Sequence, residues 1–145
     1  MLTIKFHRSH PEAKIPTKAH DTDAAWDLYA CESEIIDVGE CVGIRSGLVI
    51  EPPIGYFTII VPRSGLATNH KLIIPNSPCV IDPPYRGELI TYMFNLGREV
   101  VHIKQGERYA QILLLPIFRS VWDEVHWEEL TTTDRGSGGF GSTGR

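Results

Sequence analysis

The sequence has 145 residues, a formal net charge of −4, 42% hydrophobic residues and 22% charged residues. Its length suits one domain with a substantial core, and its acidic balance excludes general affinity for nucleic acid, which requires a basic surface. The N-terminal region has no signal-peptide pattern and no apolar run is long enough to span a membrane, so we expect a cytoplasmic protein without membrane contact. The three cysteines form no CxxC pair, which favours reduced thiols.

The first part of the chain predicts two strands. Residues 2–6 alternate apolar and polar side chains, which is typical of an opening strand with one buried face. Residues 24–30 form a second, mostly apolar run that contains one acid, Asp27. Because an unpaired buried carboxylate is costly, Asp27 must be hydrogen-bonded, paired with a cation or open to a cavity.

The rest of the chain is rich in short β segments separated by turn residues. They cover residues 33–38, 41–50, 55–61, 89–96, 100–103, 106–116 and 121–130. This spacing is typical of an all-β sandwich or barrel, and we expect Trp122 and Trp127 to lie in the core or in an interface. No segment shows sustained helical periodicity, so any helix is short. The best candidate follows Pro62, with Ser64 as N-cap and with backbone amides beside Arg63 free to bind an anion.

Residues 76–90 predict a hairpin that carries chemically active side chains. Two apolar runs flank a Pro-Pro turn, and the turn carries an acid, an aromatic ring and a guanidinium: Asp82, Tyr85 and Arg86. The simplest geometry presents all three to one cavity. An ordinary surface hairpin with a solvated ion pair is the alternative interpretation of this stretch taken by itself.

The C-terminal residues 134–145 are rich in glycine and cannot bury enough apolar surface to fold alone. We therefore divide the chain into a β domain, residues 1–133, and a flexible arm, residues 134–145. The arm has phosphate-loop spacing, but Ser142 stands where a P-loop requires lysine. We therefore reject a P-loop. The remaining interpretation is a flexible arm whose amides and hydroxyls can wrap phosphates while Phe140 stacks on a ring.

Five of these stretches resemble, in the same order, the five motifs of the trimeric deoxyuridine triphosphatases. They are residues 24–28, 62–67, 76–88, 106–111 and 135–142. The resemblance implies a jelly-roll-like (β-clip) all-β subunit and a homotrimer with three active sites at its interfaces. It also implies Mg²⁺-dependent hydrolysis of dUTP to dUMP and pyrophosphate, which keeps uracil out of DNA and supplies dUMP for thymidylate synthesis.

The same resemblance implies a role for individual residues. Asp82 would orient and deprotonate the water that attacks the α-phosphorus, and Tyr85 would pack under the deoxyribose and exclude a 2′-hydroxyl. Asp27 would meet Mg²⁺ through water, with the ion held mainly by the substrate phosphates. Arg108 would orient its neighbours rather than touch the substrate.

The remaining implied substrate-binding residues fall into three groups. The hairpin would contact uracil through backbone groups, from Val80 and Ile81 to Ile90, with Asn76 nearby. Arg63, Ser64, Gly65 and Gln111 would hold the phosphates. The arm would contribute Arg135, Phe140, Gly141, Ser142 and Thr143, with Phe140 over the base and Arg135 and the two hydroxyls on the terminal phosphate.

Four positions depart from the family pattern. Cys79 stands where the family usually has glycine, Trp26 is bulky within its motif, Pro84 replaces a second acid, and Glu107 is a conservative replacement of aspartate. None of these changes removes a group assigned to catalysis, but Cys79 could alter the geometry of the hairpin and the shape of the uracil pocket.

Two alternative functions share the scaffold. A dCTP deaminase-related enzyme resembles the Ile81-Asp82-Pro83 stretch, but it carries a catalytic glutamate where this chain has Arg86. A nucleotide-sensing regulatory protein could lose Asp82 or the arm without penalty, and this sequence retains both.

Overall fold

The computed structural model describes residues 2–139. Within this range the chain forms eleven strands, one α-helix and one turn of 3₁₀ helix, Trp127–Glu129. This agrees with the predicted all-β fold, which allowed at most one short helix. The elements are β1 Lys5–Arg8, β2 Trp26–Tyr29, β3 Glu34–Ile36, β4 Cys41–Arg45, β5 Leu48–Glu51, β6 Tyr56–Pro62, α1 Ser64–His70, β7 Leu72–Ile73, β8 Cys79–Ile81, β9 Ile90–Asn95, β10 Val101–Ile103 and β11 Arg108–Pro116. No helix in the described range is both long and apolar enough to cross a membrane.

The largest sheet has four antiparallel strands in the order β2-β11-β6-β8. The long strand β11 pairs with β2 on one side and with β6 on the other, so Gln111 lies between Asp27 and Val61. The sheet thereby joins stretches that are far apart in sequence. A second sheet has the order β4-β9-β7, and two further strand pairs, β1-β5 and β10-β3, complete the fold.

The core lies between these sheets and follows the alternation of the strands. On β6, for example, Thr58 and Ile60 are fully buried while their neighbours are partly exposed. Tyr109 is the largest fully buried side chain, and its hydroxyl lies 3.4 Å from Oγ1 of Thr91. Burial raises the pKa of Tyr109 well above its ordinary value of 10, so the phenol stays neutral and serves packing.

The first predicted strand is displaced and more exposed than the sequence suggested. β1 covers Lys5–Arg8 instead of residues 2–6, and all four of its residues are exposed. It pairs only with β5, with Phe6 opposite Ile50. Its apolar side chains line an open groove of about 640 Å³ because no other element of the described chain covers this face.

The predicted β segment over residues 41–50 contains two strands, because a turn at Ser46-Gly47 divides it into β4 and β5. Gly47 has φ +68°, and a Cβ at this position would lie 2.7 Å from Cβ of His10 and 2.8 Å from that of Ala13. Only glycine tolerates both the left-handed backbone and this contact.

The predicted last strand, residues 121–130, is also wrong for the single chain. These residues pair with no strand in the described structure, and the only regular element there is the 3₁₀ turn. Trp122 and Trp127 do not enter the core, since their relative exposures are 102% and 77%. The apolar residues are present, but the described chain offers no surface on which they pack.

Candidate active site

The predicted hairpin over residues 76–90 is wrong as a strand pair, because β8 belongs to the large sheet and β9 to the second sheet. β8 pairs with β6, and the chain then turns through Asp82 and Tyr85 and crosses to β9, which begins at Ile90 and pairs with β4 and β7. The amide of Tyr85 donates to the carbonyl of Asp82 at 3.0 Å, and the Tyr85 hydroxyl donates to the carbonyl of Glu88 at 3.1 Å. The turn encloses a cleft of about 150 Å³, which we call the hairpin cleft after the predicted hairpin. Its lining residues are Val80, Ile81, Asp82, Tyr85, Glu88, Leu89 and Ile90.

Arg86 does not join Asp82 and Tyr85 in this cleft. Its NH1 donates to the carbonyls of Pro83 and Tyr85 at 2.6 and 2.9 Å, and its NH2 lies 3.4 Å from a carboxylate oxygen of Glu51. The expectation that the bend presents acid, ring and cation to one cavity is therefore wrong for the cation. These contacts with nearby backbone carbonyls keep the guanidinium on the outside of the turn.

Gly87 allows the Tyr85 ring to fold back over the turn. A Cβ on Gly87 would collide with the hydroxyl and with Cζ of Tyr85. Tyr85 is 46% exposed and lines the hairpin cleft, so its ring offers apolar surface there.

Glu88 is a functional candidate that sequence reasoning missed. Its carboxylate accepts hydrogen bonds from Nε and NH2 of Arg45 at 3.1 and 2.8 Å, and from the amide of Gly47 at 3.0 Å. The Arg45 hydrogen bonds, together with that from Gly47, lower the pKa of Glu88 below its ordinary value. The sequence contained a signal for this pairing. Glu88 is an acid directly before an apolar run, and Asp27, for which a partner was predicted, is an acid inside such a run.

The second group of predicted site residues gathers at the opposite edge of the sheet. Asp27 is only 7% exposed, and its two carboxylate oxygens accept from Nε of Arg63 at 3.0 Å and from NH1 of Arg108 at 3.1 Å. NH1 of Arg63 also donates to the carbonyl of Arg108 at 3.3 Å. The predicted pairing of Asp27 is therefore confirmed, and both partners are arginines.

These residues line a cleft of about 390 Å³, which we call the guanidinium cleft. Its lining residues are Ala19, Asp23, Ala24, Ala25, Asp27, Arg63, Arg108 and Gln111. Asp23 also contributes a carboxylate, which accepts from the amide of His20 at 2.9 Å. The cleft thus contains two guanidinium groups whose side chains are fixed by a buried acid.

The helix beside this cleft begins one residue earlier than predicted. Arg63 is the N-cap, with φ −76° and ψ 133°, and Ser64 is the first helical residue; no side chain caps the helix. The prediction of Ser64 as N-cap is wrong because β6 extends to Pro62 and Arg63 continues its extended backbone. The first-turn amides at Ser64 and Gly65 consequently have no side-chain cap, and a Cβ on Gly65 would meet only open space.

Two further predicted residues lie outside both clefts in the single chain. Asn76 is exposed in the turn before β8, and Arg135 is exposed with its Nε donating to the carbonyl of Gly138 at 2.8 Å. Neither residue lines the hairpin cleft or the guanidinium cleft. The other predicted arm residues, Phe140, Gly141, Ser142 and Thr143, lie outside the described residues.

The two clefts are separate. The hairpin cleft follows β8 at one edge of the sheet, and the guanidinium cleft extends from the opposite edge strand β2 across β11 to Arg63, which follows β6. They share no lining residue. The described chain therefore holds two distinct clefts, one with an acid and an aromatic ring and one with guanidinium groups.

Comparison with known proteins assigns this architecture to a family. The sequence profile described as dUTPase matches residues 11–144. A deoxyuridine 5′-triphosphate nucleotidohydrolase of Solibacter usitatus is 41% identical over 148 residues, covering 99% of this chain and 97% of the relative, and one of Nautilia profundicola is 41% identical over 144 residues, covering 99% and 100%. The chain belongs to the dUTPase family.

The fold agrees with this assignment. The dUTPase of Staphylococcus bacteriophage 80alpha, solved with dUpNHpp, superposes with a TM-score of 0.89 at 25% identity and covers 99% of each chain. This likeness confirms the jelly-roll-like all-β prediction.

Proposed function

We propose that this protein hydrolyses dUTP to dUMP and pyrophosphate at sites formed between copies of the chain in a homotrimer. The observation that carries the proposal is the division of the predicted site residues between two clefts that share no lining residue. Family membership and the nucleotidohydrolase relatives support the reaction. Juxtaposing the hairpin cleft of one copy with the guanidinium cleft of another brings an acid and an aromatic ring to a phosphate-binding surface.

In the hairpin cleft, Asp82 takes the proton of the water that attacks the α-phosphorus. Tyr85 packs against the deoxyribose, and its ring leaves no space for a 2′-hydroxyl. The hydrogen bond from Tyr85 to the Glu88 carbonyl supports this position of the ring. Backbone groups of Val80, Ile81 and Ile90 pair with uracil, with Asn76 beside them.

In the guanidinium cleft, Arg63 and Gln111 bind the phosphates, together with the uncapped amides of Ser64 and Gly65. Asp27 fixes the Arg63 side chain through the 3.0 Å hydrogen bond, so the charge is in place before the substrate arrives. Phosphoryl transfer depends mainly on such positioning and charge stabilisation. Arg108 contributes by holding the other oxygen of Asp27 rather than by touching the substrate.

A magnesium ion fits this cleft only as an ion carried by the substrate. Both carboxylate oxygens of Asp27 accept hydrogen bonds from guanidinium groups, so direct coordination would bring the ion close to two positive charges. Contact through water retains these bonds and agrees with the hydration that Mg²⁺ keeps in proteins. When bound, the ion supplies positive charge that neutralises the phosphate oxygens.

The C-terminal segment completes the proposed assembly. Residues 117–139 are exposed almost throughout and include Phe118, Trp122 and Trp127, which gives them apolar surface for contact with another copy. We assign residues 134–145 as the arm that closes the site, with Arg135 and the hydroxyls of Ser142 and Thr143 on the terminal phosphate and with Phe140 and Gly141 over the base. A closing arm would exclude bulk water from the reaction.

The reaction would remove dUTP from the precursors of DNA and supply dUMP for thymidylate synthesis, in the cytoplasm. The nucleotidohydrolase names of the curated relatives support hydrolysis over deamination of dCTP.

One assay tests the proposal. Pyrophosphate release is measured in parallel from dUTP, dTTP, dCTP and UTP with Mg²⁺, and ammonia is measured in the dCTP sample. We expect rapid pyrophosphate release from dUTP and little from the other three. Ammonia release from dCTP, or equal hydrolysis of all four nucleotides, would contradict the proposal.

A further inference from the structure

A buried thiol outside both clefts has two potential metal ligands beside it. Cys31 follows β2, is 0% exposed and forms no disulfide. One ligand atom each from Cys31, His10 and Glu32 lie within 4.8 Å of one another. Nε2 of His10 is 3.2 Å from Oε1 of Glu32.

The backbone brings these three residues together for a local reason. His10 and Cys31 both pack against Gly47, where a Cβ would lie 2.7 Å from Cβ of His10 and 3.3 Å from Cβ of Cys31. The amide of Cys31 donates to the carbonyl of Arg45, and the amide of Ser9 donates to the carbonyl of Gly47. The arrangement is thus fixed by backbone contacts and does not depend on the side chains that would bind an ion.

We propose that Cys31, His10 and Glu32 form a binding site for Zn²⁺. A thiolate, an imidazole and a carboxylate are ligands that Zn²⁺ takes in proteins, whereas Mg²⁺ prefers oxygen ligands alone. The site is therefore chemically distinct from any magnesium ion that accompanies a nucleotide. Three protein ligands leave a fourth position for water.

The geometry requires a small contraction. Tetrahedral zinc with bonds of about 2.0–2.3 Å places its ligand atoms roughly 3.5 Å apart. The ligand atoms lie within 4.8 Å of one another, so these distances must shorten by about 1 Å. Rotation of the His10 and Glu32 side chains can achieve this, because they are 21% and 41% exposed. Cys31 supplies the fixed, buried end of the site.

Binding of Zn²⁺ requires a change in the protonation of Cys31 and in the tautomer of His10. Cys31 releases its thiol proton to solvent when the Zn–S bond forms. Nε2 of His10 binds the ion in the tautomer that carries hydrogen on Nδ1. In that tautomer Nδ1 no longer accepts the 3.2 Å hydrogen bond from the amide of Glu12. The amide of the exposed Glu12 then donates to water.

Arg45 is the group that opposes a cation here. Its NH1 donates to Oε1 of Glu32 at 2.9 Å, while its Nε and NH2 bind Glu88. Two carboxylates around one guanidinium carry one net negative charge. Zn²⁺ with a thiolate adds one positive charge, so the complete cluster is neutral. Oε2 of Glu32 does not bind Arg45 and is the oxygen that would bind the ion.

Metal content of the tag-free, full-length protein tests the site. After incubation with Zn²⁺ and dialysis against excess Mg²⁺, we expect one zinc per chain by elemental analysis. Replacing zinc with Co²⁺ should give a thiolate-to-cobalt charge-transfer band. Cys31→Ser and His10→Gln should each abolish the band and reduce the bound metal several-fold. Cys41→Ser and His7→Gln, which alter exposed residues elsewhere, should retain both signals.

Two results would overturn the site. One is zinc well below one per chain in the unaltered protein after dialysis. The other is a charge-transfer band or a zinc content that is unchanged in His10→Gln. Circular dichroism checks the fold of each variant, and if Cys31→Ser unfolds, the partly exposed His10 variant decides the question.

Discussion

Glu88 and Arg45 form a two-point ion pair that fastens the turn after β8 to strand β4. Nε and NH2 of Arg45 donate to the two carboxylate oxygens at 3.1 and 2.8 Å, and the Gly47 amide donates to the same carboxylate at 3.0 Å. The Glu88 side chain is 14% exposed and lines the hairpin cleft. The position of Tyr85, which bonds to the Glu88 carbonyl, therefore depends on an anchor outside the turn.

This ion pair predicts a loss of stability in acid. The pKa of Glu88 is lower in the folded chain than its ordinary value of 4.5, chiefly through the Arg45 hydrogen bonds. Its contribution is therefore fully present above pH 4.5 and is lost as the pH falls through the lower, folded-state pKa. We expect Glu88→Gln to lower the free energy of unfolding by about 2 kcal/mol at neutral pH and to flatten its decline in acid.

Urea unfolding at a series of pH values measures this effect. Glu51→Gln is the matched control, because Glu51 pairs with Lys5 and Arg86 on an exposed surface and should change stability little. An acid dependence that is the same in Glu88→Gln and in the unaltered protein would remove Glu88 from this role.

Asp82→Asn should abolish turnover while leaving nucleotide binding intact. The amide cannot accept the proton of the attacking water, and losing a general base typically lowers the rate by about 10²–10⁴-fold. The measurements are pyrophosphate release from dUTP and the affinity for a non-hydrolysable dUTP analogue. Asp37→Asn, an exposed acid in a distant turn, serves as the control, and near-normal turnover in Asp82→Asn would exclude Asp82 as the base.

Tyr85 should select deoxyribose through its ring and not through its hydroxyl. Tyr85→Ala removes the surface against which a 2′-hydroxyl would clash, so we expect slower dUTP hydrolysis and a smaller ratio between the kcat/KM values for dUTP and UTP. Tyr85→Phe loses only the 3.1 Å hydrogen bond to Glu88 and should retain most of the discrimination. An unchanged ratio in Tyr85→Ala would count against the proposed position of the sugar.

Mixing two inactive variants should restore activity if each site combines two copies. Asp82→Asn damages the hairpin cleft and Arg63→Gln damages the guanidinium cleft, which share no lining residue. In randomly mixed trimers with divided sites, about one quarter of the sites join an intact Asp82 to an intact Arg63. Pyrophosphate release after co-refolding is the readout, and its absence in verified mixed trimers would refute the division of the site.

Removing the arm should impair hydrolysis without affecting the fold. Within residues 134–139, Arg135 and Gly136 make hydrogen bonds only to neighbours in the same turn, Gly138 and Thr133. A chain that ends at Thr133 should therefore unfold at the same urea concentration and form the same oligomer. It should hydrolyse dUTP slowly, and full activity of this shortened chain would exclude the arm from the site.

The sequence predicted those parts of the site whose chemistry is local. Asp27 in an apolar run required a partner, and the structure provides Arg63 and Arg108. Within residues 76–90 the sequence predicted a turn whose cleft holds Asp82 and Tyr85, and both line it, although the flanking strands join different sheets. These inferences succeeded because turn residues and isolated charges restrict the backbone and its partners within a few positions.

Features that depend on distant segments were missed. The break at Gly47 arises from contact with His10 and Ala13, which no local pattern reveals. The strand predicted over residues 121–130 is absent because a strand needs a partner, and local composition does not show whether one is available. Arg86 was misplaced because bonds to nearby carbonyls compete with the cleft for its guanidinium.

The separation of the two clefts has a consequence for how activity scales with protein concentration. If the site is divided between copies, as proposed, an isolated chain holds both clefts but no complete site. Specific activity should then fall on dilution as the assembly dissociates, and high substrate concentration should partly prevent this loss because a nucleotide that bridges two subunits favours the assembly. Gene dosage would act on such an enzyme more steeply than in proportion to the number of chains.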